Sequence, residues 1–187
     1  IYLIYTLFIH FISLLLEYYL FRRKGTIMSI QTADLCDDNR DKKIQVLSAK
    51  FKNYGGLKQF SGEIVTVNLD KSNWRLLEML RDEDGKGRVV VVDNSQEFFG
   101  VVGDKLMAFA RNNNWKAIIL NGYVRDIDET KNINVGLYAI GPCPLRNFEI
   151  TDSQRDTELN FEGVTFNNGD YIYADNDGVI VTKSKLH

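Results

Sequence analysis

Two runs in this chain carry no polar break: Arg88–Asp93 reads RVVVVD and Ala117–Leu120 reads AIIL. A strand with one face in water alternates apolar and polar side chains, so an unbroken apolar run must be covered on both faces. The flanking segments supply the cover. Asn73–Arg81 (NWRLLEMLR) sets Trp74, Leu77 and Leu80 at helical spacing, which predicts an amphipathic helix ended by Gly85 and Gly87. Gly103–Asn112 (GDKLMAFARN) predicts a second helix, with Gly-Asp at its start able to cap it. Lys43–Phe51 and Phe60–Asn68 are β-rich on either side of a Gly55-Gly56 turn. The AIIL strand exits at Asn121-Gly122, Arg125–Lys131 forms a short charged turn or helix, and Val135–Ile140 is a further strand ending at Gly141-Pro142. Phe148–Lys183 is strand-rich, with turns at Asn167–Asp170 and Asp175–Gly178. Helices set among strands give a layered α/β domain with a β-rich C-terminal portion packed onto it.

Composition then removes whole classes of function. The chain has 187 residues, 44% hydrophobic and 26% charged, which suits one domain with a real core plus an extra segment. Net charge is −2 overall, and the first 27 residues hold Arg22, Arg23 and Lys24 against Glu17 alone, so the remainder is more acidic still. Such a surface repels phosphates and argues against direct nucleic-acid binding. The two cysteines, Cys36 and Cys143, are far apart in no CxxC pattern, and read as small buried residues of a reducing, cytoplasmic compartment. The only histidines, His10 and His187, sit at the chain ends, which excludes Ser-His and Cys-His nucleophiles and a His-rich zinc site. Chemistry here has to run on carboxylates, arginine, backbone amides and a metal that prefers oxygen ligands.

Ile1–Phe21 is apolar, long enough to span a bilayer, and followed by Arg22-Arg23-Lys24. His10 and Glu17 weaken that reading, and no small-residue cleavage site is visible. Either residues 1–27 are a membrane anchor, or the protein starts at Met28, where a globular pattern begins at once. The second is the expectation taken, with residues 28–187 as one domain and no membrane partner.

Two segments offer chemistry. Gly100–Leu106 (GVVGDKL) joins a buried strand to a helix, and a helix start presents free N–H groups and partial positive charge to a carboxylate or phosphate. Asn121–Glu129 (NGYVRDIDE) follows the AIIL strand, where α/β folds place ligands. It sets a guanidinium beside a carboxylate, an anion clamp next to a hard-metal ligand. Each alone reads equally as a capped loop or a solvated turn. If their strands are neighbours, they surround one cleft with amide donors, Asp104, Arg125 and Asp126.

From Met28 to about Lys183 the chain resembles the RraA-like family, which takes in regulators of ribonuclease activity and 4-hydroxy-4-methyl-2-oxoglutarate aldolases. The resemblance is carried by TADLCD, FSGEIVTV (60–67), GRVVVVD (87–93), GDKL (103–106), NGYVRD (121–126) and GVTFNNGDYIYADNDGVIV (163–181). It implies a swivelling-domain-like β/β/α sandwich, assembled as a ring-shaped homotrimer with its cleft between subunits. It also implies roles: Gly103, Asp104, Lys105 and Leu106 hold a 2-oxo acid through backbone amides, and Arg125 contacts its pyruvyl portion. Asp126 is implied as the ligand of a divalent metal, Mg2+ or Mn2+, and Glu129 completes an Arg-Asp-x-x-Glu pattern. Asp104 would position a water that carries protons. The implied reaction is retro-aldol cleavage of 4-hydroxy-4-methyl-2-oxoglutarate to pyruvate, with oxaloacetate decarboxylation through the same enolate. The alternative is a non-catalytic protein that binds and inhibits ribonuclease E. One departure stands out: the family commonly places glycines after the residue matching Asp93, whereas this chain has Asn94, Ser95, Gln96 and Glu97. Side chains there are expected to crowd the substrate approach.

Overall fold

The computed structural model describes residues 30–186; the apolar segment 1–27 and the expected start at Met28 lie outside the described residues. Four parallel strands form the centre: β3 (Phe60–Asn68), β4 (Val89–Asp93), β6 (Ala117–Val124) and β7 (Gly136–Pro142). The short β2 (Lys52–Asn53) closes one edge, antiparallel to β7. On the other side, β3 pairs antiparallel with β11 (Tyr171–Ala174), β11 with β12 (Val179–Thr182), and β12 with β1 (Gln45–Val46).

β3 belongs to both halves. Its first residues, Phe60–Glu63, pair with β11, while Ile64–Asn68 pair with β4. The antiparallel half thereby folds over one face of the parallel half. Val89 and Val91 of β4, with Ala117 and Ile119 of β6, pack there against Ile172, Ala174, Val179 and Val181. The short β8 (Gln154–Arg155) pairs antiparallel with the end of β3, and the hairpin of β9 (Leu159–Phe161) and β10 (Val164–Phe166) completes this layer, with Phe161 stacked on Phe166. The alternate residues Val90, Val92, Ile118 and Leu120 point the other way, onto helices α2 (Trp74–Asp82) and α3 (Asp104–Asn112). This is the expected β/β/α sandwich, and it explains why RVVVVD has no polar break: its side chains enter two cores.

The short strands differ from the sequence reading at their ends. Only Gln45–Val46 of the β-rich stretch 43–51 forms a ladder. The AIIL strand does not exit at Asn121-Gly122 but runs on to Val124, with a register shift between Leu120 and Tyr123. Asn121 is held in the sheet because it sits opposite Asp93 on β4 and its Nδ2 donates to Asp93 Oδ1 at 2.8 Å. Helix α2 is present, yet it buries Leu76, Met79 and Leu80, leaving Trp74 48% exposed. Among the described residues, no helix is long and apolar enough to cross a membrane.

Helix α1 (Thr32–Asp38) is fixed to the β11–β12 turn by one buried carboxylate. Asp175 Oδ2 accepts from Thr32 N and its Oδ1 from Thr32 Oγ1, both at 2.7 Å. Burial alone would push the Asp175 carboxyl up, but these bonds and one from Asp177 N outweigh it and leave the pKa below its ordinary value. Tyr138, which donates to Asp175 O, is pushed up to about 12 by burial and then by the Asp175 charge, so it stays a donor. Asp175→Asn should therefore cost about 1–3 kcal/mol near neutral pH. Because the folded pKa is depressed, that contribution is complete above the unfolded value and fades as pH falls through the folded one. Thermal melts of both proteins should show a gap at pH 7 that narrows at acid pH; a pH-independent gap would contradict the assignment.

Candidate active site

The two candidate segments meet because β5 (Gly100–Val102) pairs in parallel with the end of β6, Gly100 beside Tyr123 and Val102 beside Val124. Arg125 N donates to Val102 O at 2.9 Å, so Gly103 and Arg125 leave the sheet side by side. Two glycines let them touch. A Cβ on Gly100 would lie 2.6 Å from Cys143 O and 2.9 Å from Arg125 Cγ. One on Gly103 would lie 2.3 Å from Asp126 Oδ2, inside any real contact. The carboxylate of Asp126 is seated on the bare Cα of Gly103.

Asp126 is itself left-handed, at φ 54 and ψ 42, a conformation that Asp tolerates better than most residues. That turn starts helix α4 (Ile127–Thr130), where Asp126 O accepts from Glu129 N and Thr130 N. Arg125 Nε donates to Asp126 Oδ2 at 3.0 Å, and the two side chains are 34% and 29% exposed. Oδ1 of Asp126 takes no bond from the described residues, on a side chain that is partly exposed. Asp104 opens α3, with Oδ1 accepting from Lys105 N at 2.7 Å. One of the expected substrate-holding amides is therefore already engaged, whereas Asp104 N and Leu106 N, in the first turn, have no intrahelical acceptor.

These residues line one cleft of about 360 Å³. Gly103, Asp104, Lys105, Leu106, Arg125 and Asp126 all face it, as the sequence suggested. Glu129 does not; it is exposed on α4, and its amide serves only the turn at Asp126. The sequence reading missed the rest of the lining, the apolar Trp74, Leu77 and Phe109 and two arginines, Arg81 and Arg146. Trp74 and Leu77 were legible only as helix stripe, while Arg146 lies in a segment without a motif. Nor do residues 94–97 line the cleft. Ser95 and Gln96 have φ of 54° and 59°, a left-handed backbone that favours glycine.

Among the described residues no group of three or more His, Cys, Asp or Glu side chains could hold a metal. That disfavours a zinc-type cage, but it suits magnesium or manganese, which bind through one or two carboxylates and fill the remaining positions with water and substrate oxygens. Asp104 and Asp126 are the carboxylates that line the cleft.

Residues 32–181 match the family model described as RraA-like, Aldolase/RraA. The chain belongs to the RraA-like family. A relative in Alcanivorax borkumensis, provisionally named 4-hydroxy-4-methyl-2-oxoglutarate aldolase, is 37% identical over 160 residues, covering 85% of this chain and 99% of that protein. Among solved structures, the S-adenosylmethionine: 2-dimethylmenaquinone methyltransferase of Geobacillus kaustophilus is 37% identical with a TM-score of 0.78, covering 83% of this chain and 96% of that one. The RNA-processing inhibitor RraA of Thermus thermophilis is 27% identical with a TM-score of 0.80, covering 86% and 96%.

The seating of Asp126 on Gly103 generates a test that needs no substrate. Gly103→Ala should displace the Asp126 carboxylate and break its bond with Arg125, while the surrounding strands stay paired. The change should weaken magnesium binding, read by calorimetry, with circular dichroism unchanged. Unaltered magnesium binding would show that the close approach does not position Asp126.

Proposed function

We propose that this protein is a lyase acting on 2-oxo acids, cleaving 4-hydroxy-4-methyl-2-oxoglutarate to pyruvate and decarboxylating oxaloacetate, with Mg2+ or Mn2+ held at Asp126. The observation that carries the reading is a single cleft joining first-turn amides, an arginine and a carboxylate braced by a bare glycine Cα. Similarity to a protein named as an aldolase over nearly its whole length supports it. A divalent cation bound at Asp126 would supply Lewis-acid polarisation of the substrate's 2-oxo group.

The chain's own residues then divide the work. Arg125 holds the pyruvoyl oxygens with a planar, permanently charged donor and stabilises the negative charge that develops as the C3–C4 bond breaks. Asp104 N and Leu106 N fix the carboxylate at the helix start, where the dipole favours an anion. Trp74, Leu77 and Phe109 shield the carbon chain from water. Asp104 Oδ2 holds a water that takes the proton of the C4 hydroxyl as the C3–C4 bond breaks, releasing the C4 half as one pyruvate, and then gives a proton to C3 of the enolate, which leaves as the second. No lysine Schiff base enters.

Asp126→Ala should abolish magnesium-dependent pyruvate release at ordinary magnesium concentrations, with the fold intact because a half-exposed turn contributes little to stability. Arg125→Lys keeps the charge but loses the two-pronged donor, so turnover should fall on the order of 100- to 1,000-fold. Metal affinity should move far less in Arg125→Lys than in Asp126→Ala. Wild-type turnover in either variant would reduce this loop to a solvated turn.

A second reading, inhibition of a ribonuclease by direct contact, is favoured by the likeness to the Thermus RNA-processing inhibitor. Added to purified ribonuclease E, the protein should then slow RNA cleavage without binding the RNA. Unchanged cleavage would remove this reading and leave the lyase untouched.

A further inference from the structure

The cleft holds more positive charge than the chemistry at Arg125 and Asp126 uses. Arg81 is committed elsewhere, with Nε and Nη2 on the two oxygens of Asp82 at 2.7 and 2.6 Å. Arg125 is paired with Asp126. Lys105, the second residue of α3, also lines the cleft, on the helix that carries Asp104. Arg146 lines the same cleft and pairs with no carboxylate among the described residues. Its guanidinium lies over the Phe148 ring, 4.8 Å from the centroid. Stacking of this kind uses the flat face of the group and leaves its N–H edge, the part that matches a carboxylate, turned outward.

The backbone fixes where that edge can go. Cys143 N donates to Val124 O and Gly100 N donates to Leu145 O, both at 2.8 Å. The residue before Arg146 is thus bonded to the same glycine whose bare Cα admits Arg125. Two arginines of one cleft are held in a set relation through Gly100, one paired with the carboxylate of Asp126 and the other with none.

We propose that Arg146 is a specificity determinant that binds the second carboxylate of a 2-oxodicarboxylate whose pyruvoyl end is held at Arg125 and Asp126. This rests on the lyase reading of the cleft and adds to it the group that separates dicarboxylic from monocarboxylic 2-oxo acids. A monocarboxylate leaves Arg146 in water at no cost. A dicarboxylate gains a charge-assisted, two-pronged pair in the same cleft, which Trp74, Leu77 and Phe109 also line. Arg146 acts on recognition, and the bond-breaking end of the site does not depend on it.

Calorimetry on the full chain in magnesium separates the claims, using pyruvate and 2-oxoglutarate. The latter keeps the pyruvoyl end, adds a second carboxylate and lacks the hydroxyl needed for cleavage. Wild type should bind 2-oxoglutarate more tightly than pyruvate. Arg146→Gln should weaken 2-oxoglutarate about tenfold, the scale of an exposed charge-assisted pair, and leave pyruvate within about twofold. Arg146→Lys should recover part of the loss, which a merely structural role would not give. If wild type binds both ligands and Arg146→Gln weakens both equally, or weakens neither, the assignment of Arg146 is overturned and the lyase reading stands. If wild type binds neither, the 2-oxo acid reading falls, and this assignment with it.

Discussion

Val89, Val90, Val91 and Val92 send alternate side chains into two separate apolar layers, and the rest of the molecule follows from that. Each buried valine is worth roughly 1.5–3 kcal/mol relative to exposure, so neither covering layer is optional. The helices α2 and α3 cover one face. The other needs a second sheet, and β3 provides it by changing partner halfway along, from β11 to β4. With β4 and β6 locked side by side in the middle, the loops leaving their carboxyl ends have little freedom. The short β5 fits against the end of β6, and Gly103, Arg125 and Asp126 emerge together.

Much of this was legible. Phe60–Asn68 is a strand at the limits read from its β-rich composition, and the two unbroken runs demanded a layered fold. The cleft-lining set Gly103–Leu106, Arg125 and Asp126 could be named because a strand-to-helix junction and an Arg-Asp pair have intrinsic chemistry. Trp74 could not be placed. Helix α2 has apolar residues at 74, 76, 77, 79 and 80, so its apolar surface wraps more than half the circumference and periodicity cannot say which part meets the core. Asn121-Gly122 misled for a different reason. The pair has turn chemistry, but a hydrogen bond to Asp93 across the sheet holds it extended, a partner 28 residues away that no local pattern contains. Arg146 was invisible because its place depends on Gly100 N donating to Leu145 O, a pairing across the chain that no local pattern contains.

Proteins of this fold carry names as different as aldolase, methyltransferase and RNA-processing inhibitor. A shared backbone therefore does not decide chemistry; the side chains at the carboxyl ends of the strands do. In this chain they form a cleft rich in arginine, with one well-braced carboxylate and an apolar wall. The residues after Asp93 show the converse. Ser95 and Gln96 hold a left-handed backbone in a loop outside the cleft lining, where glycine would carry no strain.

The chain has two tryptophans, and the fold gives them opposite surroundings. Trp115 is 2% exposed, with Nε1 donating to Glu83 O and the Arg88 guanidinium over its ring. Trp74 is 48% exposed on the wall of the cleft. Indole emission moves to longer wavelength as water reaches the ring, so the intrinsic fluorescence of this protein contains two components of different colour. The blue component belongs to an indole locked beneath α2 and reports whether the domain is folded. The red one belongs to the cleft lining, so a ligand that covers Trp74 takes water from that ring alone.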